Sequence, residues 1–149
     1  LMSFYEQHPS VRLQTPNASE IQFDAVFGDE SARWGLDHPP FDLQKLPPFI
    51  RYAPDRIMGR MLVECKGLGK DAVLKVKIEQ LEALRFWSHI HPVSIFVWDS
   101  FRKRWTMIEL EALIAACHKN GALEQFPDNN KPAWFIHTSF LEVEWTDAA

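Results

Sequence analysis

The stretch Pro54-Asp55-Arg56-Ile57-Met58-Gly59-Arg60-Met61-Leu62-Val63-Glu64-Cys65-Lys66 decides how this chain is read. Met61 to Lys66 alternates between apolar and polar residues, the period of a half-buried strand, and Gly59-Arg60 separates it from an extended run over Phe49 to Met58. The two runs are expected to form a hairpin. If its turn is symmetric about the Gly59-Arg60 bond, Asp55 falls directly opposite Glu64, and residues so placed have Cβ atoms about 4.5 to 5.5 Å apart. Like charges at that separation destabilise a sheet unless something positive sits between them. A divalent cation would do so, and two hard carboxylates suit Mg²⁺ better than a soft-ligand metal such as zinc. Alternation also puts Lys66 on the face of Glu64, with Val63 and Cys65 turned the other way into the core. There the Lys66 amine would orient or deprotonate an attacking water, or stabilise charge on a phosphate, while the metal polarises the phosphoryl oxygen. Hydrolysis of a phosphodiester is the reaction class expected.

Working outward, Asn17 to about Trp34 carries Ile21, Ala25 and Phe27 among acidic residues and reads as a first helix ending before Gly35. Phe41 to Leu46 reads as a short strand. After the hairpin, Leu74, Ile78, Leu81 and Leu84 fall at helical spacing and predict a helix over Asp71 to Ser88, stopped at His91-Pro92. Val93 to Trp98 is a short apolar run and reads as a buried strand. Thr106, with Glu109 three residues later, reads as the capping box of a helix whose Leu110, Leu113, Ile114 and Cys117 point inward and whose end is marked by Gly121. Ala133 to Trp145 reads as a last strand or hairpin. The fold class expected is α/β, a central mixed four-stranded sheet flanked by helices, with a helix and strand added at the C-terminal end.

The 149 residues suit one domain, taken as 1–149, with 46% hydrophobic, 24% charged and 13% aromatic residues and no sign of disorder. The longest apolar runs fall far short of the roughly 18 to 20 residues that cross a bilayer. Leu1 to Glu6 lacks a basic region followed by an apolar one, so no secretory signal is expected and a cytoplasmic location is, in a bacterial or phage-infected cell. Cys65 and Cys117 sit in apolar patterns and read as buried thiols. The net charge of −4 argues at first against a polyanionic partner. Its distribution argues otherwise: Lys45 to Arg104 holds twelve basic and six acidic residues, net +6, against four basic and fourteen acidic elsewhere, net −10.

Pro54-Asp55, eight residues, then Glu64-Cys65-Lys66 resembles the signature of the PD-(D/E)XK nuclease superfamily. The resemblance runs from about Glu20 to Trp98. It implies a restriction-endonuclease-like core of order αβββαβ and a Mg²⁺-dependent deoxyribonuclease, with Mn²⁺ able to substitute. It implies Asp55 and Glu64 as metal ligands, Lys66 as the catalytic amine, and an acid from the preceding helix completing the set; Glu20 matches best, with Asp24 one turn away. Gln80 matches the polar residue that many members turn toward the site, and Lys77 would contact phosphate, as would Arg56, Arg60 and Lys70. Cys65 stands where an aliphatic residue is more usual, a slot that a buried thiol fills. Compact members resemble Holliday-junction resolvases and phage recombination nucleases, many of them dimers, so DNA and a homodimer are the implied partners, with no membrane.

Each signal has a plainer reading. Asp55, Glu64 and Lys66 could be a solvent-facing strand pair bridged by lysine, worth at most about 1 kcal/mol. Glu20 could satisfy a helix dipole, and Gln80 and Lys77 could lie on a solvated helix face. Arg102-Lys103-Arg104 beside Trp105 reads as a phosphate grip or as a charged turn. His89 and His91 read as loop histidines. Gly67-Leu68-Gly69-Lys70 lacks the spacing of a phosphate loop, Cys117-His118 lacks a second zinc-ligand pair, and no nucleophile turn is present. The rival functions are a non-catalytic nucleic-acid-binding module on the same scaffold and a viral assembly protein.

Overall fold

A computed structural model describes residues 17–35, 47–126 and 130–149. In chain order the elements are α1 (Ala18–Phe27), a 3-10 turn (Gly28–Glu30), β1 (Ser31–Arg33), α2 (Pro48–Arg51), β2 (Arg56–Met58), β3 (Met61–Leu68), β4 (Val73–Lys77) and α3 (Ile78–Ser88). They continue with β5 (Val93–Asp99), β6 (Arg104–Glu109), α4 (Leu110–Asn120), β7 (Ala122–Gln125), β8 (Pro132–His137), a second 3-10 turn (Thr138–Phe140) and β9 (Thr146–Asp147).

The expected α/β architecture holds: a central mixed sheet has helices packed against it. Among the described residues the sheet has six strands, where four were expected, in the order β1-β2-β3-β5-β6-β9, and β4-β8-β7 form a second sheet of three. The β3–β5 pair is parallel and the other pairs are antiparallel. That pair explains the strength of the Val93–Asp99 strand, which is buried along its whole length, as a strand covered on both faces must be.

Alternation divides the β3 and β5 side chains between two cores. Val63, Cys65, Phe96 and Trp98 pack with Phe23 of α1, whose ring meets Phe96 edge-on at 5.2 Å. Leu62, Leu68, Val93, Ile95 and Val97 face the other way, into an aliphatic core with Leu74 and Val76 of β4, Leu81 and Leu84 of α3, and Leu113 of α4. Both cysteines are free and buried.

Several expectations are corrected. The first helix stops at Phe27, and its tail becomes β1; it buries Phe23 and Glu20 while Ile21 and Ala25 face solvent. The strand expected over Phe49 to Met58 begins only at Arg56, because Pro48 at the first helical position starts a short helix. The helix expected from Asp71 begins only at Ile78. Ala72 takes a left-handed φ of 57°, and Val73 to Lys77 pair with β8. Thr106 caps nothing: it lies within β6 and donates its hydroxyl to the Glu144 carbonyl, so α4 starts at Leu110 after an N-cap, Glu109, with no side-chain bond. Gly121 does end that helix. Of Ala133 to Trp145, only the part through His137 is strand, followed by a 3-10 turn. The strand expected at Phe41 to Leu46 lies outside the described residues.

Candidate active site

The hairpin register is the one that symmetry about Gly59-Arg60 requires: Met58 faces Met61, Ile57 faces Leu62 and Arg56 faces Val63. Gly59 makes the turn with φ +61°, a conformation open to glycine at the first central position of a tight hairpin. Counted outward from a two-residue turn, Asp55 and Glu64 occupy the next rung, a non-hydrogen-bonded one in which side chains lie closest. The Glu64 carboxylate lies near enough to Asp55 to act on its ionisation.

Asp55 is fixed from two directions. Its carbonyl accepts from Trp34 N–H at 3.0 Å, extending the β1–β2 ladder, and its Oδ2 accepts from Cys65 N–H at 2.8 Å. Continued by one more residue, the register would set Cys65 opposite Pro54, whose carbonyl would accept this N–H; the Asp55 carboxylate accepts it instead. Burial, followed by the Glu64 and Glu20 carboxylates, pushes Asp55 well above the ordinary carboxylate range, and the Cys65 amide only partly opposes this. Burial and the same acids also push the Cys65 thiol up, which makes it inert filling under the site.

On the Glu64 face, Lys66 Nζ donates to Gln80 Oε1 at 2.6 Å. Gln80 is buried in the first turn of α3, so the helix, which starts at Ile78 instead of Asp71 and ends at Ser88 as expected, brings this side chain to the lysine. Asp55, Glu64, Lys66 and Gln80 thus converge on one patch.

Glu20 comes from the other side of the sheet and is claimed by other groups. With Asn17 it closes a capping box, Asn17 N–H donating to Oε2 at 3.0 Å, and its Oε1 accepts from Arg56 Nη1 at 3.2 Å. Asp24 takes Arg56 in a two-pronged bond, at 3.0 and 3.1 Å. Glu20 is near enough to raise Asp55, yet among the described residues no three His, Cys, Asp or Glu side chains are grouped to hold a metal ion. The expected phosphate contacts separate in the same way. Arg56 is 4% exposed and points into the α1 side, which removes it from any surface that a polyanion could reach. Arg60 and Lys70 are exposed but sit in the turns at opposite ends of β3. Arg60 is four residues from Glu64, roughly 13 Å along a strand. Lys77 is half-buried beside the site, with Nζ 5.1 Å from the Phe126 ring centre and 6.0 Å from that of Tyr52.

Sequence reading missed a cluster around Glu79, next in the chain to Gln80. Glu79 accepts from Arg51 at 3.2 Å, from the Tyr52 hydroxyl and from Lys131. Burial works against its charge, but the bonds from Lys131 and Tyr52 outweigh it and hold the carboxyl below its usual range. Its only trace in the sequence was the Lys77-Ile78-Glu79-Gln80 run; Arg51 and Lys131 lie too far away in the chain to be associated with it.

Two neighbouring carboxyl groups, with Asp55 raised by burial and by Glu64, favour a positive charge beside them, and a proton or a hard cation can supply it. The oxygen-only donor set fits Mg²⁺ with water and substrate oxygens in the remaining positions. Among the described residues no helix is long and apolar enough to cross a membrane. No protein-family model matches the chain, and no curated protein matches it. Among solved structures it is similar to Archaeoglobus fulgidus Hjc, a Holliday junction resolvase from an archaeal hyperthermophile, with 12% identity and a TM-score of 0.48 over 84% of this chain and 88% of that one.

Proposed function

We propose that this chain is a metal-dependent nuclease of the PD-(D/E)XK type, hydrolysing DNA phosphodiester bonds within a single domain. The observation that carries the reading is that the hairpin brings Glu64 close enough to Asp55 to hold the Asp55 carboxyl up, with Lys66 on the face of Glu64. A solvent-facing strand pair would have left these groups in water; instead Glu64 is buried and Lys66 donates to the buried Gln80. Asp55 and Glu64 would hold Mg²⁺, or Mn²⁺ in its place, and Glu20 would join them only by giving up Arg56. When bound, the ion supplies a lowered pKa for water and polarisation of a phosphoryl oxygen. Cys65 N–H keeps Asp55 Oδ2 in place, so the other carboxylate oxygen is the one available to the ion. Gln80 fixes the Lys66 amine, whose remaining hydrogens can bond the attacking water or the phosphate. A branched substrate, a homodimer, and a role in recombination or repair in a bacterial or phage-infected cell belong to the same proposal.

The test is incubation with end-labelled linear, flapped and four-way DNA in Mg²⁺, Mn²⁺ or EDTA. Cutting should require metal. Glu64→Ala and Lys66→Ala should each reduce it by about 10² to 10³-fold, the usual cost of removing one charge-stabilising group, while retaining DNA. Equal cutting by either variant overturns the site. DNA binding without cutting in any metal would favour the non-catalytic binding module.

A further inference from the structure

The Glu79 cluster holds more donors than its acceptor can use. Arg51 and Tyr52 arrive from the end of α2, Lys77 from the end of β4, Lys131 from the start of β8, and Glu79 from the first turn of α3. Glu79 Oε2 is taken by Arg51, and Oε1 by Tyr52 and Lys131. Three cations surround this carboxylate, and two donors remain over. Arg51 Nε is buried and has no hydrogen-bond partner among the described residues. Among the described residues Lys77 Nζ meets the rings of Tyr52 and Phe126 and has no carboxylate within ion-pair distance. The cluster adjoins the proposed active site through covalent neighbours, Glu79 preceding the Gln80 that grips Lys66. It also sits at the N-terminal end of an eleven-residue helix, whose dipole favours negative charge.

We propose that Arg51, Tyr52, Lys77 and Lys131 form a phosphate subsite that grips the DNA backbone beside the cleaved bond, with Glu79 occupying it until the strand arrives. An incoming phosphate offers several acceptor oxygens where Glu79 offers two, so it can satisfy Arg51 Nε and Lys77 as well as the groups Glu79 now holds. Phe126 and Tyr52 provide ring faces against which sugar or base can rest. The inference rests on the nuclease reading and extends it from the reacting bond to the strand that carries it.

Binding of a labelled DNA duplex is measured by fluorescence anisotropy in EDTA or Ca²⁺ over a range of salt, beside the Mg²⁺ cleavage assay. Lys77→Gln and Lys131→Gln should each weaken binding several-fold at low salt and flatten the plot of log affinity against log salt by about 0.9, the contribution of one phosphate contact. Lys119→Gln, on an exposed position at the end of α4, should leave the slope unchanged. Glu79→Gln should bind more tightly than wild type, an outcome that a merely structural tie would not produce. Thermal melts establish that each variant is folded, and the two lysine variants decide the matter if Glu79→Gln is not. Unchanged slopes in both, with a wild type that binds and cuts, overturn the subsite and leave the nuclease reading standing. A wild type that neither binds nor cuts overturns both.

Discussion

Asp55 and Arg56 are adjacent in the chain, and the strand alternation sends them to opposite faces of the sheet. Arg56 enters a balanced environment: four hydrogen bonds from its guanidinium go to Asp24, Glu20 and the Asp55 carbonyl. Burial works against its charge, yet the bond to Asp24 and the two carboxylates raise its pKa above the usual value. Asp55 enters an unbalanced one, where burial and two acids oppose ionisation and one backbone amide supports it. The same few residues thus carry a satisfied network and an unsatisfied one. Satisfied charge is expected to show itself in stability and unsatisfied charge in activity.

Arg56→Met gives the sharpest contrast. Removing one partner of a buried ion pair strands the other charge, at a cost of about 3 to 5 kcal/mol. Chemical denaturation should show a loss of that size. Glu64→Gln, on the other face, should leave stability equal or slightly raised, because it removes a like charge from beside Asp55, while ending cleavage. If Arg56→Met melts like wild type, or Glu64→Gln loses as much stability as Arg56→Met, the division into a structural face and a chemical face is wrong.

Gly35→Ala tests how far Asp55 depends on the sheet edge that holds it. A Cβ at Gly35 would lie 2.5 Å from the Pro54 carbonyl oxygen and 2.9 Å from that of Ala53, both backbone atoms directly ahead of Asp55. The chain must shift there, at a cost of about 1 to 3 kcal/mol. Cleavage should fall together with the melting temperature, because the Trp34-to-Asp55 backbone bond shares that segment. A variant that loses stability and retains full cutting would mean that Asp55 is held by Cys65 N–H alone.

What was legible in the sequence follows the range of the interactions. The hairpin register could be read because a two-residue turn and a period of two leave no freedom, and Val93 to Asp99 because a doubly buried strand is apolar throughout. The segment from Val73 to Lys77 could not: Leu74 continues the helical spacing of Ile78, Leu81 and Leu84 by coincidence, and the strand forms by pairing with β8, more than fifty residues away. Thr106 and Glu109 satisfy the capping-box spacing, but the Thr106 hydroxyl is used by Glu144 across the sheet. In the site, Lys66 could be placed by strand parity. The loss of Glu20 to Arg56 is not visible in the sequence, because only the packing of α1 on the sheet sets the buried Glu20 and the exposed Asp24 against the Arg56 guanidinium.

The smallest effect concerns the proton that Asp55 keeps. In metal-free protein, Asp55 binds its proton more tightly folded than unfolded, since its folded pKa is raised. Below the ordinary carboxylate range both states are protonated and the full stabilisation is present. As pH rises through that range the unfolded chain releases its proton first, so the folded state holds more protons and stability falls until the folded value is passed. The loss is about 1.4 kcal/mol for each unit by which folding raises the pKa. Denaturation in EDTA from pH 4 to 8 should show this decline in wild type and not in Asp55→Asn. Mg²⁺ competes with the proton for the same oxygens, so it should stabilise wild type most at neutral pH and least in acid, by about 2.7 kcal/mol at a hundredfold excess over its dissociation constant. Stability that rises with pH in EDTA, or Mg²⁺ that stabilises Asp55→Asn as much as wild type, would mean that the carboxyl pair holds neither the proton nor the ion.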